Sequence, residues 1–249
     1  MGAVLDKKSI EAAVAARVGN LFAPSQRVSQ QPMATGIPTV DLLTGGLPRG
    51  CITEISGEVS SGRTSFVAAV LAEASHSQEC IAYIDVTDSL DPATMHQAGV
   101  DLDRLLWVRC GGKLERALRV ADLVLQGGGF GITVLDLAGV TPQWVRRIPM
   151  AYWFRFRRAV ENKPCCCILV DQTPCAGTCA ALLLEMRRDE TVWSGPPEFR
   201  LLTSVRFNVR KKKPMGLQEC AFESRAETGI CNVSVTRGPR RVAPASRRH

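Results

Sequence analysis

Apolar residues fall into two alternating patterns along this chain. Short, nearly continuous apolar runs occur at 51–56 (CITEIS), 81–85 (IAYID), 105–110 (LLWVRC), 131–137 (GITVLDL) and 165–172 (CCCILVDQ). Runs of this length predict strands, and the last two, of β-branched or small residues, predict strands buried on both faces. Between them, apolar positions recur at helical spacing, over 64–75 and over 113–126. The second of these carries Leu114, Leu118, Ala121 and Leu125 and stops at Gly127-Gly128-Gly129. Alternation of strand and helix predicts an α/β fold, a mostly parallel twisted sheet flanked by helices. Two later strands are expected at 182–186 and 205–209, the latter alternating apolar with polar. Ahead of these, 9–18 (SIEAAVAARV) is an alanine-rich helical pattern, followed by a Pro/Ser/Gln-rich connector over 24–32. The segment from Gly238 onward is rich in Pro and Arg and is expected to be disordered. The chain therefore divides into an N-terminal helix and linker (1–34), a core (35–237) and a basic tail (238–249).

The junction between the 51–56 strand and the 64–75 helix reads Gly57-Glu58-Val59-Ser60-Ser61-Gly62-Arg63-Thr64-Ser65. This matches the phosphate-binding pattern G-x-x-x-x-G-K-S/T except that Arg63 stands where lysine is specified. A glycine-rich turn between strand and helix offers successive backbone N–H groups to phosphate oxygens, and the helix N-terminus adds partial positive charge. Thr64 is placed to ligate Mg²⁺ through its hydroxyl, and Asp136, ending the ITVLD strand, is placed as the acid behind that metal. Taken alone, the loop also fits a Gly/Ser turn with no ligand. Arginine is larger and forked where lysine is a compact charge. Since positioning dominates phosphoryl transfer, slowed turnover is expected before lost binding.

Charge is concentrated at one end. Of 31 basic and 24 acidic residues, ten basic and three acidic lie from Arg210 on, leaving the first 209 residues neutral. That asymmetry suggests a negatively charged partner such as nucleic acid, with a solvated, solubilising tail as the plainer reading. Ten cysteines show no paired C-x-x-C spacing, and His76, His96 and His249 provide no ligand-like grouping near them. Cys165-Cys166-Cys167 sits in an apolar run and is expected to be buried and reduced; Cys175 and Cys179 leave a redox or metal role open. No run of eighteen apolar residues and no signal-peptide pattern occurs, so no membrane association and a cytoplasmic location are expected.

The segment 35–64, TGIPTVDLLTGGLPRGCITEISGEVSSGRT, resembles the entry into the RecA recombinase ATPase core. IAYIDVTDSLDP (81–92), AGVDLDRLL (98–106), ITVLD (132–136), LVDQ (169–172) and VRKKKPMGLQECAF (209–222) extend the likeness over residues 35–223. The resemblance implies a RecA-like P-loop NTPase core that takes ATP and Mg²⁺. It places Gly57 to Ser65 around the phosphates, Asp91 near the adenine amino group and Gln172 as the γ-phosphate sensor. Arg210 and Lys212 match basic positions that reach a neighbouring subunit's nucleotide in RecA filaments.

Departures from the family shape the functional expectation. Thr87 stands where the family's water-orienting glutamate belongs, and Thr94 replaces the aromatic that stacks on adenine. About ten residues, TPCAGTCAAL, separate Gln172 from the next strand, so the second DNA loop and its helix are expected to be missing, the first DNA loop to be trimmed and the separate C-terminal domain to be absent. The pattern is similar to ImuA-type accessory proteins of SOS-induced translesion synthesis and mutagenesis. That likeness implies at most a weak ATPase working in the bacterial cytoplasm near the nucleoid. Implied partners are single-stranded or primed DNA, an ImuB-like polymerase-family protein, an error-prone DNA polymerase, and RecA or a second copy. An ATP-dependent recombinase and a scaffold with a vestigial pocket are the competing readings.

DNA contact is then expected from other surfaces. AYWFRFRRAV (151–160) interleaves Tyr152, Trp153, Phe154 and Phe156 with Arg155, Arg157 and Arg158, preceded by Arg146 and Arg147. Aromatics and arginines together suit single strands; the alternative is an amphipathic helix with Trp153, Phe156 and Val160 facing the sheet. Arg210, Lys211, Lys212 and Lys213, with Arg237, Arg240, Arg241, Arg247 and Arg248, form the second candidate surface.

Overall fold

Six strands lie parallel and side by side in a computed structural model that describes residues 31–214 and 218–225. The helical pattern at 9–18, the connector up to residue 30, Arg237 and the basic tail with its four arginines lie outside the described residues. In chain order the elements are α1 (Pro38–Thr44), β1 (Cys51–Gly57), α2 (Arg63–His76), β2 (Ile81–Asp85) and α3 (Pro92–Gln97). They continue with β3 (Leu105–Arg109), α4 (Leu114–Gly127), β4 (Ile132–Asp136), α5 (Pro142–Val145) and α6 (Met150–Val160). The last four are β5 (Cys166–Asp171), β6 (Ala180–Ser194), β7 (Leu201–Lys213) and β8 (Gln218–Arg225). The sheet order is β3-β2-β4-β5-β1-β6-β7-β8. Pairing is parallel from β3 through β6 and antiparallel for β6–β7 and β7–β8.

The central strands are apolar on both faces because both faces are covered. On one side α2 contributes Phe66, Val67, Val70 and Leu71, and its buried alanines let it approach the sheet closely. On the other side α4 and α6 pack Leu118, Leu125, Trp153 and Phe156 over Ile84, Leu135 and Leu169. This layering places the C-terminal ends of β1, β2, β4 and β5 along one edge, where ligands of open α/β sheets bind. The phosphate loop, Asp136, Asp171 and Gln172 sit at that edge.

Two expectations need correction. The strand expected at 182–186 runs on to Ser194 as the fifteen-residue β6, and that expected at 205–209 is the thirteen-residue β7. Beyond Met186 every residue of β6 is exposed, so apolar alternation, the signal for a strand, stops although the strand does not. β8 was not expected at all; Cys220 and Phe222 are its buried face. Of the two readings of 151–160, the packed helix is the one observed: Trp153, Phe156 and Val160 are buried in α6. Phe154 faces outward, and the Arg155 guanidinium lies 4.9 Å over the Tyr152 ring. The described cysteines are all free thiols, with Cys165, Cys166 and Cys167 buried.

Truncating a large buried aromatic costs about 3–5 kcal/mol, whereas exposed positions move stability within about 0.5 kcal/mol. Trp153→Ala is therefore expected to lower unfolding free energy by about that larger amount, and Phe154→Ala to leave it unchanged. Urea denaturation of the two variants checks this.

Candidate nucleotide site

The loop after β1 is held by contacts that demand glycine at both ends. A Cβ on Gly57 would lie 2.4 Å from the Met186 carbonyl and 2.5 Å from Ser61 Oγ. Gly62 has φ 90° and lies under the Phe207 ring, where a Cβ would approach within 2.6 Å of ring carbons. Gly62 is also the N-cap of α2, with no side-chain cap. The first-turn N–H groups of a helix have no intrahelical acceptor, and they point at the concave side of the loop together with the positive end of the helix dipole. Ser61 Oγ is buried without a hydrogen-bond partner. An uncapped helix start, two glycines whose side chains would fill the cradle and an orphaned buried donor fit a phosphate group. Glu58, Val59 and Ser60 form the exposed rim; Thr64 is exposed and Ser65 half-buried on the helix's first turn.

Arg63 does not face outward with its neighbours. Its side chain is buried, Nη1 has no hydrogen-bond partner, and it interacts electrostatically with Asp136 and Asp171. Burial pulls its pKa down, and the two carboxylates oppose that shift. Asp136 accepts hydrogen bonds from the Tyr83 hydroxyl at 2.6 Å and the Ala138 N–H at 2.9 Å. Burial nevertheless raises its pKa, with Asp85 adding to the rise and Arg63 opposing it. Asp171 accepts from the Gln172 N–H at 2.6 Å. Burial pushes its pKa up to about 6, with Glu54 adding to the rise and Arg63 working against it.

Glu54 is the acid that sequence inspection missed. It lies fully buried in β1, and Oε1 accepts from the backbone N–H groups of Cys175 and Ala176, the latter at 3.0 Å. The Cys175 thiol lies against both Glu54 and Asp171, and burial together with those charges drives its pKa far up. One signal was present: a lone acid inside an otherwise apolar strand, CITEIS.

The remaining expected site residues disperse. Asp91 caps α3, accepting from the N–H groups of Ala93 and Thr94 and from the Thr94 hydroxyl, and that hydroxyl is the main cause of its lowered pKa. Gln172 lines a cleft of about 560 Å³ beside Gly57 to Val59 and donates through Nε2 to the Ala138 carbonyl at 3.0 Å. Among the described residues no cluster of three or more His, Cys, Asp or Glu side chains could hold a metal. With both Asp136 oxygens engaged, Mg²⁺ would be held by the Thr64 hydroxyl and the phosphates, with Asp136 acting through water.

The basic candidates differ in availability. Arg146, Arg147, Arg157 and Arg158 are exposed on α6 and the turn before it, while Arg155 pairs with Asp122 at 2.8 Å. On β7 the run is engaged within the chain. Arg210 pairs with Glu219 and Glu185, Lys212 meets Glu185 at 3.1 Å, Lys211 donates to the Leu43 carbonyl, and Lys213 bonds carbonyls of the 177–180 turn.

The raised carboxyl of Asp171 carries a pH signature. Its folded value of about 6 exceeds the ordinary 3.8, so between these values the folded state holds a proton that the unfolded chain has released. This group's contribution to stability therefore falls as pH rises through that window, by about 3 kcal/mol in all. Asp171→Asn is expected to remove this group's share of the fall, leaving the share due to Asp136. Urea unfolding at about pH 4 and about pH 7.5 measures the difference.

Comparison with known proteins places this geometry. The model of the RecA N-terminal domain family matches residues 11–145. "Protein RecA" of Bifidobacterium longum is 30% identical over 213 residues, which is 82% of this chain and 53% of that protein. "Protein RecA" of Methylococcus capsulatus is 39% identical over 112 residues, 44% of this chain and 32% of that protein. The chain spans about half the length of the first of these relatives and a third of the second. Among solved structures, that of the RadB recombinase superposes with a TM-score of 0.60 at 17% identity, covering 80% of this chain and 98% of that one. With more than half of its length matched, and with a RecA-like sheet order around a strand–loop–helix cradle, the chain belongs to the RecA N-terminal domain family.

Proposed function

We propose that this chain is a RecA-like DNA-repair accessory protein that binds ATP and hydrolyses it slowly or not at all. The observation that carries this reading is the state of the acids after β2, where hydrolysis needs a carboxylate to orient water. Asp85 is consumed by the N–H groups of Thr87, Ser89 and Leu90 and by the Trp107 indole. Asp88 pairs with Arg109 at 3.2 Å, and Asp91 caps α3. Thr87 itself packs against Gly139, where a Cβ would lie 2.4 Å from its hydroxyl. No carboxylate of this loop is left to orient water. Arg63, buried and within the field of Asp136 and Asp171, puts a larger, forked cation where a compact one serves the γ-phosphate.

Bound Mg²⁺ would neutralise phosphate charge beside Thr64. The protein's own part is to cradle the phosphates on the amides of α2 and to present Gln172 at the phosphate end. DNA would be met by the exposed Arg146, Arg147, Arg157 and Arg158 through phosphate contacts that are sequence-independent and salt-sensitive. Within this reading the partners are those of an ImuA-type protein: an ImuB-like polymerase-family protein and an error-prone polymerase, in the bacterial cytoplasm. The names of the relatives favour a second reading, an ATP-dependent recombinase.

Titration with a fluorescent ATP analogue, followed by ATPase assays with and without single-stranded DNA, separates the readings. Binding with little turnover is expected; robust DNA-stimulated hydrolysis would establish the recombinase instead. Arg63→Lys is expected to tighten nucleotide binding a few-fold and to leave turnover slow, because Thr87 remains.

A further inference from the structure

We infer that the β6–β7 ribbon forms the second wall of the nucleotide site, with Trp193 and Leu202 packing the base and Arg188 meeting the phosphates. The inference rests on the proposed nucleotide binding. It assigns base recognition to a surface remote from Asp91 and Thr94 in the chain.

Past Met186, β6 runs on beyond β1 with β7 beside it, and β8 backs β7 only as far as Ser204, so the Trp193–Leu202 and Ser194–Leu201 pairs form a two-stranded tip. A ribbon without a backing layer is marginal in water. Here its base is anchored by Phe207, whose ring sits on Gly62 of the phosphate loop and 5.3 Å from the Phe222 ring. The anchor holds the ribbon over the loop and encloses a cleft of about 450 Å³, with Ser60 to Ser65 on one side and Trp193, Leu202, Val205 and Phe207 on the other. Small-molecule sites span about 300–1,000 Å³. The cleft is divided in the way a nucleotide is divided, with amides and hydroxyls along one wall and ring and aliphatic surface along the other.

Trp193 and Leu202 are cross-strand partners, 52% and 38% exposed. The indole N–H donates to Thr191 Oγ1 at 3.2 Å, which ties the ring to its own strand and leaves its faces free to stack. On the α3 side, the Asp91 carboxylate is spent on capping and Thr94 on bonding to it. Base recognition by ring faces reads shape rather than edge, so a purine is favoured for its larger surface.

Arg188 lines this cleft and the 560 Å³ cleft on the far side of the loop, and it is exposed with no carboxylate partner among the described residues. Its neighbours on the ribbon are paired, Arg187 with Glu185 and Arg206 with Glu190. Arg63 is compensated from within by Asp136 and Asp171. Arg188 is thus an uncommitted cation beside the cradle among the described residues.

Binding of ATP and of inorganic tripolyphosphate to the full chain, measured by calorimetry, tests the assignment. Wild type is expected to bind ATP roughly tenfold more tightly than tripolyphosphate, the worth of one base stack. Trp193→Ala is expected to bring ATP down to the tripolyphosphate level and leave tripolyphosphate unchanged, with Trp193→Phe restoring most of the difference. Arg188→Ala is expected to weaken both ligands. Both positions are exposed, so unchanged urea midpoints confirm that the variants are folded. If tripolyphosphate binds but Trp193→Ala leaves ATP affinity intact, the ribbon assignment is overturned while nucleotide binding stands. If neither ligand binds wild type, the nucleotide reading fails and takes this inference with it.

Discussion

A single buried guanidinium organises the loaded edge of the sheet. Asp136 and Asp171 end adjacent strands, and Glu54 lies one strand further in. Burying carboxylates costs several kcal/mol each unless charge or hydrogen bonds offset it. Tyr83, Ala138 and Gln172 supply part of that offset for Asp136 and Asp171, and Arg63 is the positive charge that opposes the rise in both. A compact ammonium reaching for phosphate could not serve the carboxylates as well. The forked, weakly hydrated guanidinium can remain buried, at the expense of its own lowered pKa. Substitution at the lysine position is therefore part of the internal electrostatics of the sheet edge as well as a change at the ligand.

A second contact joins that edge to the antiparallel half of the sheet. Phe207 rests on Gly62 and packs with Phe222, which in turn lies 6.4 Å from Phe66 on α2. This aromatic chain ties β7 and β8 to the helix that begins at the phosphate loop. Any displacement of the ribbon is thereby transmitted to the backbone whose amides form the cradle. The pairing of Arg210 and Lys212 with Glu185 stiffens the same region and draws those cations into the sheet.

Much of this was legible in the sequence, and the part that was not has a physical reason. Four parallel strands and the loop could be read because full burial forces continuous apolar runs, and because the cradle requires glycine at fixed positions. The outer reach of β6 could not, since Arg187 to Ser194 lie in solvent and carry no apolar alternation. Glu54 was passed over because one acid in a strand looks like an irregularity until Cys175 and Ala176, far along the chain, are seen donating to it. The direction of Arg63 was equally hidden, since it is decided by acids on two other strands. Short-range pattern shows where a side chain is attached; which long-range charges claim it depends on topology.

Affinity and turnover are separable at such a site. Phosphate affinity draws on backbone amides and on the helix terminus, which carries roughly half a positive charge whatever residue occupies position 63. Turnover draws on a cation and a carboxylate held to within a fraction of an ångström of the reacting atoms. A buried arginine at position 63 and Thr87 packed on Gly139 weaken terms of the second kind and leave those of the first in place. Under the proposed reading, a RecA-type core altered in this way would keep its phosphate cradle while losing the means to clear a bound nucleotide quickly. That is the behaviour of a switch whose state is set by ligand concentration, because exchange, and not hydrolysis, would govern its return.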